Sequence, residues 1–167
     1  KGFINMANDG WNQGWHERNG GNLSYRMKQE EVKEVEAAFD CTTEWLPIGT
    51  SVPGLADEYF IFTGTGRYFQ NVIKNPEESI GIIKLDSKGE NYQIVWGLIN
   101  GGRPTSELPS HLMSHETKKA VSGGKHRVIY HAHPVSTIAL TFVLPLTDEA
   151  FTREIWEMMP ECSVVFP

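Results

Sequence analysis

Two cysteines, Cys41 and Cys162, are too few in 167 residues for a disulfide framework, and they form no CxxC pair. A reducing, cytoplasmic setting is the simplest expectation. Positive charge is also scarce: 15 Lys and Arg stand against 21 Asp and Glu, a net charge of −6. No basic stripe marks a nucleic-acid surface, so no nucleic-acid partner is expected. No apolar run approaches the ~20 residues that cross a bilayer. The N-terminus also lacks the basic and apolar regions of a secretory signal. No membrane partner is expected either. Internal repeats and low-complexity linkers are absent. What is there is ordinary for a globular protein, 40% hydrophobic and 22% charged, and predicts a single domain over 1–167 with a real core.

Periodicity divides the chain into helices and strands. Ile4, Ala7, Trp11 and Trp15 recur at helical steps, and Asn19-Gly20-Gly21-Asn22 stops that helix with residues that tolerate positive φ. Leu23 to Met27 reads as a short strand, and Val32, Val35 and Phe39 as a second, amphipathic helix. Tyr59–Thr63, Ile80–Leu85 and Tyr92–Leu98 are strand-like, the last two joined by the hairpin turn Ser87-Lys88-Gly89-Glu90. Ser106 is placed to cap a helix starting near Pro109. Val128 to His133 reads as a strand closed by Pro134. Helices over about 134–142 and 148–159 and a strand-like Ser163–Phe166 follow. Hairpin-linked strands with flanking helices predict an α/β sandwich with much antiparallel pairing, not a doubly wound parallel fold.

Three features bear on chemistry. His131-Ala132-His133, if on a strand, projects both imidazoles to one side, within reach of one Zn²⁺; two hydrogen-bonded surface histidines are the plain alternative. Glu107, in the first turn of its helix, sits where the dipole favours a carboxylate and suits a general base near a metal, or a simple helix-start acid. The glycine turns Asn19–Asn22 and Gly64–Gly66 expose backbone N–H groups that can cradle phosphate, with Thr65 and Ser106 adding hydroxyls, though such turns are also plain connections. His111 and His115 lie four apart on a helix with no third ligand suggested, and read as a solvated face. The cysteines read as inert.

Taken in order, His16-Glu17-Arg18-Asn19-Gly20-Gly21-Asn22-Leu23, Phe62-Thr63-Gly64-Thr65-Gly66-Arg67, Pro104-Thr105-Ser106-Glu107-Leu108-Pro109 and His131-Ala132-His133 resemble the class II aldolases of the fuculose, ribulose and rhamnulose phosphate type. Trp15 to Asn22, Trp96-Gly97-Leu98 and the ending Glu161 to Pro167 resemble the rhamnulose-phosphate branch in particular.

The resemblance implies a three-layer α/β sandwich with a largely antiparallel central sheet. It implies a zinc-dependent lyase that cleaves L-rhamnulose 1-phosphate to dihydroxyacetone phosphate and L-lactaldehyde through an enediolate, in a homotetramer. By the same resemblance His131 and His133 are two of three zinc ligands and Glu107 is the acid/base. Asn19, Gly21, Asn22, Thr65, Gly66 and Ser106 contact the dihydroxyacetone phosphate moiety, chiefly its phosphate. Glu161 reaches a neighbouring subunit's site and acts on the aldehyde half. Thr65 stands where the family has serine, with the hydroxyl retained. No histidine follows His133, so the third ligand is expected beyond Pro167, and the 167 residues alone are expected to be an inactive, truncated piece. Related activities are fuculose-phosphate aldolase and pentulose-phosphate 4-epimerase. An adducin-like, non-enzymatic module and a generic metal-binding module are the alternatives outside enzymology.

Overall fold

The computed structural model of the protein describes residues 1–159, 161 and 164. The chain forms two compact units, Lys1–Ala132 and His133–Pro167.

The first unit is built on a six-stranded sheet in the order β2-β5-β4-β3-β1-β6, and every neighbouring pair is antiparallel. The strands are β1 (Asn22–Arg26), β2 (Trp45–Pro47), β3 (Tyr59–Thr63), β4 (Ile80–Leu85), β5 (Asn91–Gly97) and β6 (Val128–His131). Alternation sorts their side chains to two faces. Phe60, Phe62, Ile83, Leu85 and Tyr92 pack with Leu108 and Leu112 of helix α5 (Leu108–Ser122). On the opposite face Leu23 and Ile80 meet Ala7 of α1 (Gly2–Asn12) and Phe69 and Val72 of α3 (Phe69–Val72). Val32 of α2 (Gln29–Val35) joins Met27, Ile82 and Val95 nearby. Helices thus cover both faces of an antiparallel sheet, as the sandwich pattern predicts. A one-turn helix α4 (Pro76–Ser79) leads into β4.

Several boundaries differ from the sequence expectation. Helix α1 stops at Asn12 and leaves Trp15 on the surface. Helix α2 ends at Val35, and after a single 3₁₀ turn Phe39 is already extended. Leu98 falls outside β5, because its φ of +48° breaks the strand. Ser106 does not cap α5: it is exposed, and Glu107 holds the cap position. Strand β6 ends at His131, two residues earlier than expected, because its partner β1 begins at Asn22 and offers no further ladder.

The second unit holds α6 (Val135–Leu140) and α7 (Asp148–Met158), near the expected ranges. The Thr147 hydroxyl oxygen accepts the Ala150 N–H at 3.2 Å and caps α7. The expected strand Ser163–Phe166 lies, Val164 apart, outside the described residues, as does Cys162. Among the described residues no helix is long and apolar enough to cross a membrane.

Candidate active site

Antiparallel pairing decides where the site residues meet. Strand β1 runs opposite to both neighbours, so its first residues lie beside the last residues of β3 and β6. The register pairs Asn22 with His131 and Ser24 with Phe62. The Thr63 hydroxyl oxygen accepts the Leu23 N–H at 3.0 Å, locking the start of β1 to the end of β3. A bridge between Gly64 and Pro104 then brings in the segment before α5, with Thr65 N–H donating to Arg103 O and Thr105 N–H to Thr63 O, both at 2.9 Å. Both glycine turns, the helix start and His131 therefore share one end of the sheet.

The turn before β1 is braced from below. Gly21 has φ +76°, and a Cβ there would stand 2.5 Å from the His131 carbonyl oxygen, so no larger residue fits. His16, buried and stacked on Phe69 at 3.6 Å, donates from Nδ1 to Gly20 O at 2.9 Å. Its Nε2 then accepts from the Tyr130 hydroxyl at 2.6 Å. Burial raises the pKa of Tyr130, which keeps that hydroxyl protonated.

At the mouth, Glu107 Oε2 lies 3.1 Å from His131 Nδ1, with both side chains about two-fifths exposed, 44% and 40%. A carboxylate accepting Nδ1–H holds the ring and leaves Nε2 with a lone pair. Asn22 Nδ2 is 3.5 Å from the same Nδ1, a contact between two donors and not a hydrogen bond once Nδ1–H goes to Glu107.

Behind Asn22 the structure corrects one expectation outright. His111 and His115 are not a solvated face: they are 3% and 0% exposed. Their ring nitrogens flank the Ser24 hydroxyl, His111 Nδ1 at 2.6 Å and His115 Nε2 at 2.8 Å, and His111 Nε2 meets Asn22 Oδ1. Desolvation holds the pKa of His111 down to about 4, against an opposing pull from Glu107, and that of His115 down to about 3. Both rings are neutral at pH 7. Leu108, His111, Leu112 and His115 together make the buried stripe of α5, so the histidines stand at core positions of an i, i+3, i+4, i+7 pattern. That spacing was the available signal.

The fold thus brings Asn22, Glu107 and His131 into contact, sets Gly21 against His131, and pairs Gly64 with Pro104 and Thr65 with Arg103 at that end. Asn19, Thr65, Gly66 and Ser106 are exposed there. His133 and Glu161 belong to the second unit. Sequence reasoning missed Ser24 and the structural role of His16.

Comparison with known proteins places the chain in a family. The rhamnulose-1-phosphate aldolase of Mannheimia succiniciproducens is 48% identical over all 167 residues, and that of Pectobacterium atrosepticum 46%. The chain spans 61% of the length of each. A sugar-phosphate aldolase structure from Thermotoga maritima shares the fold with a TM-score of 0.75 at 23% identity, over 97% of this chain and 65% of that one. The profile described as Class II Aldolase and Adducin N-terminal domain matches residues 2–165, nearly the whole chain, and to that family this protein belongs.

Proposed function

We propose that these residues serve the retro-aldol cleavage of L-rhamnulose 1-phosphate to dihydroxyacetone phosphate and L-lactaldehyde, a step of rhamnose catabolism. The relatives' names support the substrate, and the observation that carries the chemistry is the Glu107–His131 contact at 3.1 Å.

The donor chemistry fits zinc. A histidine held through Nδ1–H by a carboxylate keeps Nε2 free of its proton, the form that ligates a metal. His131 and His133 would hold the ion together with a third histidine outside residues 1–167. Bound there, zinc would supply Lewis-acid polarisation of the ketose carbonyl. Two ligands are one short of a catalytic zinc site, so the 167 residues alone are expected to hold zinc weakly and to be inactive.

The remaining work falls to the chain's own groups. Glu107 takes and returns the proton at the dihydroxyacetone phosphate carbon released by bond cleavage. Asn19, Gly21, Asn22, Thr65, Gly66 and Ser106 hold that moiety, chiefly its phosphate, and the binding energy orients the bond to be broken. Glu161 acts at the aldehyde oxygen of a neighbouring subunit's site within a homotetramer. A cytoplasmic setting belongs to the same reading, in keeping with free, exposed Cys41.

The test is Glu107→Gln in the full-length protein. The amide keeps the size and cannot take the proton, so zinc and substrate binding persist while turnover falls ~10²–10⁴-fold. A loss within about tenfold rejects Glu107 as the base. Product analysis on L-rhamnulose 1-phosphate separates this activity from 4-epimerisation and from fuculose-phosphate cleavage. Absence of both metal and turnover would favour the adducin-like alternative.

A further inference from the structure

The buried chain behind the site has a direction, and the direction has a consequence. Asn22 Oδ1 accepts only, so His111 Nε2 carries the hydrogen in their contact. A neutral imidazole has one N–H, which leaves His111 Nδ1 as an acceptor for the Ser24 O–H at 2.6 Å. The Ser24 oxygen then accepts the His115 Nε2–H at 2.8 Å. At the deep end His115 Nδ1 keeps a bare lone pair, buried and without a hydrogen-bond partner among the described residues. Turning the Asn22 amide over admits two other arrangements. One strands a buried N–H on His115 Nδ1, and the other leaves the Ser24 hydroxyl hydrogen without an acceptor. An unpaired buried donor is rarer and costlier than an under-used acceptor. The deep end of the chain therefore selects one orientation at the shallow end.

We propose that His111, held by Ser24 and His115, is a positioning and specificity-determining residue that fixes the Asn22 amide with its NH₂ group, not its carbonyl oxygen, toward the Glu107–His131 corner. Asn22 is thereby an obligatory donor, selective for a ligand that presents an anionic oxygen and against one that presents N–H. The inference rests on the proposed function only in taking Asn22 as a ligand contact. The relay itself is a property of the folded chain.

Two measurements on the full-length protein test it. The first is the tautomer of each ring, from two-bond ¹H–¹⁵N correlations of histidine-labelled protein. Nε2–H at both His111 and His115 is expected, and Nδ1–H at either would overturn the relay. The second is a double-mutant cycle on binding of dihydroxyacetone phosphate, using His111→Gln and Asn22→Ala. Glutamine retains an amide but imposes no direction. Each single substitution is expected to weaken binding roughly tenfold or more, the scale of one hydrogen bond to a charged group. In the Asn22→Ala background His111→Gln should then add nothing, because it acts through Asn22. Equal effects in both backgrounds would mark His111 as merely structural and overturn the proposal. A parallel cycle with inorganic phosphate tells which oxygen is bound: the same loss assigns phosphate, and a loss confined to dihydroxyacetone phosphate assigns its carbonyl–hydroxyl end. Unchanged binding in Asn22→Ala alone would reject the ligand-contact reading and the specificity claim with it, while leaving the tautomers as found.

Discussion

At the scale of single residues, two glycines with nearly the same backbone angle make opposite demands. Gly21 (φ +76°) faces the His131 carbonyl and the His16 ring, with 2.5 and 2.7 Å to an added Cβ, whereas Gly66 (φ +66°) faces open space. Both substitutions to alanine meet the left-handed backbone cost of roughly 1 kcal/mol. Only Gly21→Ala must also push β6 or His16 aside, which brings its cost to about 2–4 kcal/mol. Urea unfolding of the two variants should show that order. In the full-length protein, displacing His131 should also weaken zinc binding in Gly21→Ala, while Gly66→Ala retains it.

At the scale of elements, helix α5 carries both packing and polarity on one stripe. Leu112 is fully buried between Phe60 and Phe62 of β3 and the helix. Leu112→Ala should cost about 2–5 kcal/mol, most of it a cavity that rigid strands cannot close, and chemical denaturation measures it. The strands beneath were readable in advance where local chemistry sets them. Asp86 is an example: burial raises its pKa, but hydrogen bonds from Asn91, Glu90 and Lys88 outweigh that and hold it at about 2, and they fasten the hairpin between β4 and β5. The glycine turns and Glu107 were readable as site material for the same reason, since their backbone needs are local. The burial of His111 and His115 was not readable from residue type alone, because Ser24, 87 and 91 residues away, supplies the hydroxyl that makes it tolerable. Nor was the end of β6, which depends on where β1 begins and not on the residues of β6.

At the scale of the whole molecule, those two histidines couple stability to acidity. Their folded pKa values, about 4 and about 3, lie below the ~6.5 of an unfolded histidine. Between these limits the unfolded chain binds more protons than the folded one, so stability rises with pH. The contribution is complete above roughly pH 6.5 and is lost as pH falls through about 4 and about 3. Thermal melts from pH 7.5 to 4.5 should show a midpoint that falls steadily below pH 6.5. A midpoint flat across that window would show that the two rings gain protons without disturbing Ser24 and Asn22.

The pairing of Asn22 with His131 spans 109 residues, and this separation sets a timetable for synthesis. A ribosome adding ~5–20 residues per second needs roughly 5–20 s to make the stretch between them. Once β3 has been made, and until β6 follows, β1 has β3 on one side and nothing on the other, an open edge ready to pair with a foreign strand. Ser24 likewise waits for both of its imidazoles until α5 has been made. The corner that would handle a phosphorylated sugar is thus among the last parts of the nascent first unit to close, and its newest strand is the one that seals it.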